Sequence, residues 1–248
     1  MTPYYEHAGI TIYHGDCLDV LPTLGPVDHV ITDPPYSAHV HGKSMRSSSG
    51  WKTWAPESRD LGFDSLTPDL MRAIGQWCGR LVPRWTAVFS DTESAHLWRD
   101  ALCAEEALEY VRTAFWHKVG GAPQFTGDRP AVACEAITLC HPSGKKRWNG
   151  GGKQGIYSVP IVLNRGASAT EFRCHTTQKP EELMSQLVTD FTDEGELILD
   201  PFMGSGTTLV AAKRLGRRAI GIEREEKYCE IAAKRLAQEA LPFTVGAE

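Results

Sequence analysis

Apolar residues along this chain follow two rhythms. Compact apolar-rich runs recur at Ile10–Tyr13, Val27–Thr32, Trp85–Phe89, Tyr110–Trp116, Ala133–Cys140, Leu197–Leu199 and Arg218–Ile222. Their length and their flanking Gly, Pro and Asp residues predict buried strands. Between them the spacing becomes helical. Pro68 opens a pattern through Leu70, Ile74, Trp77 and Leu81, and a second helix is expected over Thr92–Ala107, with Asp91 or Thr92 as its N-cap. Pro180, in the first-turn position that suits proline, precedes the stripe Leu183, Leu187, Phe191. Thr207–Leu215 reads as a helix closed by Gly216, and Glu225–Ala240 as one with Tyr228, Ile231, Ala232 and Leu236 on a single face. Seven strands alternating with helices predict an α/β fold, a mainly parallel sheet covered on both faces.

Two stretches break the rhythm. Residues 37–60 lose apolar periodicity and collect Ser, Gly, Lys and Trp, which predicts a long loop of the kind that serves as a lid. Residues 141–173 are irregular, contain Gly150-Gly151-Gly152, and carry six cations against one acid, Glu171. That segment has a net charge of +5 in a chain of −5, so the remainder carries −10. The expected organisation is one domain over 1–248, with the lid-like loop 37–60 and a small insert at about 141–175. The acidic total excludes a uniformly basic nucleic-acid coat but leaves room for a local basic face.

Composition narrows the class. Hydrophobic residues at 42% and charged residues at 23% suit a soluble globular domain of 248 residues. There is no run of 18 apolar residues, and Met1–Glu6 lacks the features of a signal peptide, so a cytoplasmic protein is expected. Seven scattered cysteines without a CxxC pair predict reduced thiols, and no metal site is expected.

Chemistry concentrates where two strands run into Asp-Pro. One ends in Asp33-Pro34-Pro35-Tyr36, the other in Asp200-Pro201-Phe202-Met203-Gly204-Ser205-Gly206-Thr207. An aspartate at the carboxyl end of a parallel strand lies at the ligand edge of an open sheet. Gly204 and Gly206 let backbone approach a ligand, and the free N–H groups of the helix that begins at Thr207 face the same crevice. Glu223, 17 residues beyond Gly206, ends the next strand, where a carboxylate can accept hydrogen bonds from ribose hydroxyls. In the first motif, the Asp33 carboxylate and the Pro34 carbonyl can accept the two hydrogens of an amine, and Tyr36 can stack on a base. Either motif alone is also compatible with a simple tight turn.

Together they resemble the amino-methyltransferases of DNA, with their DPPY and FxGxG motifs in the β-class order. The resemblance covers roughly residues 10–40 and 85–238. It implies a Rossmann-like S-adenosylmethionine-dependent methyltransferase fold of about seven strands. It assigns catalysis to Asp33, Pro34, Pro35 and Tyr36. It places Phe202, Gly204, Ser205, Gly206 and Thr207 along the cofactor, Asp200 at its methionine moiety, Glu223 at the ribose and Asp16 at the adenine amino group, with Asp33 at the reacting edge. Lys179, in Thr177-Gln178-Lys179-Pro180, would flank the methionine end. D-P-P-Y resembles adenine-N6 enzymes, whereas S-P-P-Y is more typical of cytosine-N4 enzymes. The implied activity is methyl transfer to N6 of a flipped adenine in double-stranded DNA. Cytosine-N4 methylation and a silent DNA-binding protein of the same fold are the alternatives. Target recognition in the family falls where the basic insert lies. DNA contacts are therefore expected from Lys43 and Arg46 in the loop, and from Lys145, Lys146, Arg147, Trp148, Asn149 and Lys153 in the insert. A homodimer and a cognate restriction enzyme are left open.

Overall fold

The computed structural model describes residues 1–35, 66–121, 123–125, 127–162 and 178–238. Among these residues nine strands form one sheet: β1 (Tyr5–His7), β2 (Ile10–His14), β3 (His29–Thr32), β4 (Thr86–Ser90), β5 (Glu109–Val119), β6 (Cys134–His141), β7 (Ile156–Pro160), β8 (Leu197–Asp200) and β9 (Arg218–Glu223). Their order is β1-β2-β9-β8-β3-β4-β6-β5-β7. The run from β2 to β4 is parallel. β1 on β2 and β6 on both β4 and β5 are antiparallel, while β7 adds parallel to β5.

Among the described residues six α-helices cover the sheet: α1 (Cys17–Val20), α2 (Pro68–Leu81), α3 (Ala95–Leu102), α4 (Glu181–Phe191), α5 (Thr207–Arg214) and α6 (Glu226–Ala237). Successive strand residues point to opposite faces, so each central strand feeds two cores. Ile31, Phe89, Ile137 and Ile198 pack with Leu183, Leu187, Leu209 and Leu236 of α4–α6. Val30, Val88, Leu199 and Ile222 pack with Met71, Ile74 and Trp98 of the other layer. No helix among the described residues is long and apolar enough to cross a membrane.

Two strands escape the sequence pattern. β1 has three residues at a sheet edge, and β7 lies inside the segment expected to be irregular. The expected helix over 92–107 is shorter, Ala95–Leu102. Asp91 Oδ1 accepts from the Ser94 N–H and so delays its start. Beyond its end, Glu106 takes the left-handed φ of 56°.

From β3 the chain proceeds to neighbouring β4, while from β8 it proceeds to β9 on the other side. A crevice therefore opens at the carboxyl ends of adjacent β3 and β8, the usual ligand position of an open α/β sheet.

The opposite edge is closed by a buried histidine. His29 Nδ1 accepts from the Trp85 N–H (3.3 Å), so the ring proton lies on Nε2, which donates to Glu196 Oε2 (2.8 Å). Burial, reinforced by the nearby Arg84 charge, pushes its pKa down to about 3. The unfolded chain therefore binds a proton that the folded chain refuses as pH falls from about 6.5 to about 3. Stability contributed by neutral His29 is present above that window and lost within it. The stability advantage of wild type over His29→Gln should shrink steadily below pH 6.5, as read by urea unfolding at a series of pH values.

Candidate active site at the carboxyl edge of the sheet

Asp200 anchors the crevice. Its Oδ1 accepts from Thr32 Oγ1 (2.7 Å) and the Phe202 N–H (3.2 Å), and its Oδ2 from Thr208 Oγ1 (2.6 Å). Burial pushes its pKa up to about 6, with these bonds pulling the other way. The carboxylate is engaged by protein groups on both oxygens. It fastens β3, the glycine loop and the first turn of α5 together.

The two loop glycines have different duties. Gly204 has φ +52°, and nothing lies within 4 Å of where a Cβ would stand. Gly206 has φ +79°, and its Cβ would lie 2.8 Å from that of Ala232 in α6. Gly204 thus keeps a crevice open, whereas Gly206 lets the last helix approach the loop. Arg235 of α6 completes that approach by donating to the Ser205 carbonyl (2.6 Å), Ser205 Oγ (3.2 Å) and Thr207 Oγ1 (3.3 Å). Ser205 and Thr207 are therefore held from behind by protein.

Glu223 faces Gly204 across the crevice. Its Oε2 accepts from the Gly204 N–H (3.0 Å) and its Oε1 from the Glu225 N–H (2.8 Å). Burial raises its pKa, and the backbone bonds, including one from Arg224, oppose that. Of roughly four acceptor directions on a carboxylate, these leave capacity for one hydroxyl. Asp16 lies two residues beyond β2 near this point, where the Gly15 N–H donates to the Glu223 carbonyl (3.0 Å). Its side chain is exposed and caps α1 through the Leu18 N–H (2.8 Å). Phe202 is half-buried against the second core. An open glycine, a fixed acid and a helix N-terminus fit a nucleoside-bearing ligand such as S-adenosylmethionine.

Asp33, one residue beyond β3, forms the other half. Lys179 Nζ donates to its Oδ2 at 2.5 Å. Its Oδ1 is buried and has no partner among the described residues. Lys179 also lies 3.2 Å from Glu135 Oε2 at the start of β6, and Lys118 of β5 lies 2.6 Å from Glu135 Oε1. Burial raises the Asp33 pKa, with Lys179 pulling it down and Glu135 adding to the rise. Burial opposes the Lys179 charge, but Asp33 and Glu135 outweigh it and the pKa is raised. Lys179, expected beside the methionine end of the cofactor, has its ammonium on Asp33. Glu135 and Lys118 were not anticipated. The signal for Glu135 was an acid opening an otherwise apolar strand. Pro34 is buried and Pro35 half-buried. Tyr36, Lys43 and Arg46 lie outside the described residues.

The basic insert is placed elsewhere. α4 starts beside Lys179 at the carboxyl edge, so its other end lies at the amino-terminal edge of the parallel strands. There the Asn149 N–H donates to the Asp190 carbonyl (2.9 Å), and Asn149 Nδ2 donates to the Thr192 carbonyl (3.0 Å) and Asp193 Oδ1 (3.1 Å). Asn149 thereby satisfies the free carbonyls that end a helix. Trp148 packs edge-on against Phe191 with ring centres 4.9 Å apart. Arg147 pairs with Asp193 (3.1 Å), Lys146 with Glu109 (3.2 Å) and Lys153 with Asp190 (2.8 Å). Lys145 is exposed in the same strip. Lys145, Lys146, Arg147, Trp148, Asn149 and Lys153 are the residues from which DNA contacts were expected. They lie across the sheet from Asp33, and most are committed to α4 or to acids from other elements.

A family model described as DNA methylase matches residues 27–234. The chain is 27% identical over 247 residues to the type II methyltransferase M.HinfI of Haemophilus influenzae, covering 92% of this chain and 68% of that protein. It is 29% identical over 258 residues to the type II methyltransferase M2.DpnII of Streptococcus pneumoniae, covering 96% and 93%. Among solved structures, the M1.HpyAVI–SAM complex superposes with a TM-score of 0.68 at 26% identity, covering 92% of this chain and 100% of that one. The cytosine-N4-specific PvuII DNA methyltransferase gives 0.73 at 15% identity over 96% and 90%, a likeness of fold alone.

Three outcomes follow from this geometry. Gly206→Ala, strained in φ and crowded by Ala232, should cost about 2–4 kcal/mol of stability by urea unfolding. Gly204→Ala should cost only about 1 kcal/mol yet weaken S-adenosylmethionine binding at least about tenfold by calorimetry, because its methyl enters the crevice. Changing Lys145, Lys146 and Arg147 together to Gln should leave the salt dependence of DNA binding unaltered. Three phosphate contacts would each have contributed about 0.9 to the logarithmic slope.

Proposed function

The chain belongs to the DNA methylase family, and on that premise we propose that it transfers the methyl group of S-adenosylmethionine to N6 of an adenine in double-stranded DNA. The observation that carries this reading is Oδ1 of Asp33, without a partner among the described residues, just beyond the strand that Asp200 ties to the glycine loop. When bound, S-adenosylmethionine supplies an electrophilic methyl group. Gly204, Glu223, Phe202 and Asp16 are the residues that would hold it.

The exocyclic nitrogen of adenine is a poor nucleophile because its lone pair is delocalised into the ring. Asp33 and the Pro34 carbonyl accept its two hydrogens and draw the nitrogen toward tetrahedral geometry. The Pro34-Pro35 pair stiffens that carbonyl, since proline fixes φ. Tyr36 stacks on the base. Because Thr32 and Thr208 both donate to Asp200, the amine acceptor and the cofactor cradle are held at a fixed separation, and positioning is the main catalytic effect. A base in a duplex cannot reach this crevice, so it is flipped out. The aspartate of Asp33-Pro34-Pro35-Tyr36 favours adenine as the target. The type II names of the relatives support a companion restriction enzyme, and the DNA substrate supports a place in the cytoplasm.

The test is methyl transfer from radiolabelled S-adenosylmethionine to duplex DNA, followed by nucleoside analysis and mapping. N6-methyladenine is expected. N4-methylcytosine would move the assignment to the other base, and DNA binding without transfer would indicate a silent relative. Asp33→Ala should lower turnover at least about 100-fold while cofactor affinity stays within about twofold, because its carboxylate serves the amine.

A further inference from the structure

We propose that Lys179 is a movable counter-ion, which holds Asp33 Oδ2 while the site is empty and passes to Glu135 when the target amine docks on the neighbouring Oδ1. The inference rests on the methyl-transfer reading and deepens it. Lys179 Nζ already reaches both acids, at 2.5 Å from Asp33 Oδ2 and 3.2 Å from Glu135 Oε2. A change of side-chain rotamer therefore suffices for the exchange. The backbone need not move, since Lys179 immediately precedes Pro180 and the first turn of α4.

The chemistry calls for both positions. In the empty site Asp33 and Glu135 are two buried carboxylates near one another, and a cation between them is needed for both to ionise. During transfer the attacking nitrogen gains positive charge. An ammonium on Asp33 would then repel that nitrogen and weaken the carboxylate as its acceptor. Lys179 is necessary before the amine arrives and obstructive afterwards.

The surroundings suit the exchange. β4 lies between β3, which carries Asp33, and β6, which carries Glu135. Phe89 of β4 places its ring 5.2 Å from Lys179 Nζ, and Trp116 of β5 lies 5.9 Å away. Aromatic faces accommodate a cation between its two carboxylates. Lys118 takes the other oxygen of Glu135, Oε1 at 2.6 Å. Glu135 is therefore held in place with Oε2 turned to Lys179. Both residues act as positioning residues.

Three measurements decide the matter, using the DNA sequence found by the methylation mapping. Glu135→Gln should lower kcat about 10- to 100-fold with cofactor affinity within about twofold of wild type. In a Lys179→Met background the same change should cost less than about threefold, because no cation remains to be moved; this non-additivity separates an exchange from a merely structural loss. In the wild-type chain with an unreactive cofactor analogue, NMR of isotope-labelled Lys179 should shift on adding the target duplex. It should not shift with a duplex carrying purine, which lacks the exocyclic amine, at the target position. Equal losses from Glu135→Gln in both backgrounds, an unaffected kcat, or a signal indifferent to the amine would overturn the exchange. Absence of methyl transfer by the wild type would instead overturn the functional reading, and the exchange with it.

Discussion

The carboxylate of Asp200 accepts from Thr32, Thr208 and the Phe202 N–H, and these bonds join β3, β8, the glycine loop and α5 at one buried point. An ionised carboxylate without partners would be expensive in such a place. With its partners it sets the distance between the end of β3, which leads into Asp33, and the glycine loop. The sheet supplies the two strand ends, and this anchor keeps them in register with each other.

The two edges of the sheet use charge differently. At the amino-terminal edge, Arg84, Arg147 and Lys153 neutralise Glu196, Asp193 and Asp190 around the end of α4. Those pairs are partly exposed and close off the fold. At the carboxyl edge, Lys118, Glu135, Lys179 and Asp33 alternate in sign across three strands and the start of α4. Lys179 and Glu135 there are almost fully buried, so each charge depends on its neighbours.

Much of this was legible in the sequence. Strand runs ending in Asp33 and Asp200, and the glycine loop leading to Glu223, fall where periodicity and turn chemistry put them, because strand, turn and helix start are local in the chain. What escaped was non-local. A net charge of +5 over residues 141–173 counts cations but cannot show that Asp190 and Asp193, beyond that segment, turn back to neutralise Arg147 and Lys153. Lys179 belongs to a motif whose sequence context pointed to the cofactor, and only the sheet order brings Glu135 to its other side. β7 was hidden because five alternating residues after a glycine run look like loop until β5 is beside them.

The contact of Gly206 with Ala232, and of Ser205 with Arg235, has a consequence for how the molecule is assembled. The loop is written into the chain before α6, yet its rear wall is supplied by α6. During synthesis β3 can pair with β4 early, whereas the glycine loop takes its shape only when the last described helix docks. A nascent chain would thus carry Asp33 at the end of β3 before its glycine loop has a rear wall. Competence to bind the donor reports completion of the fold.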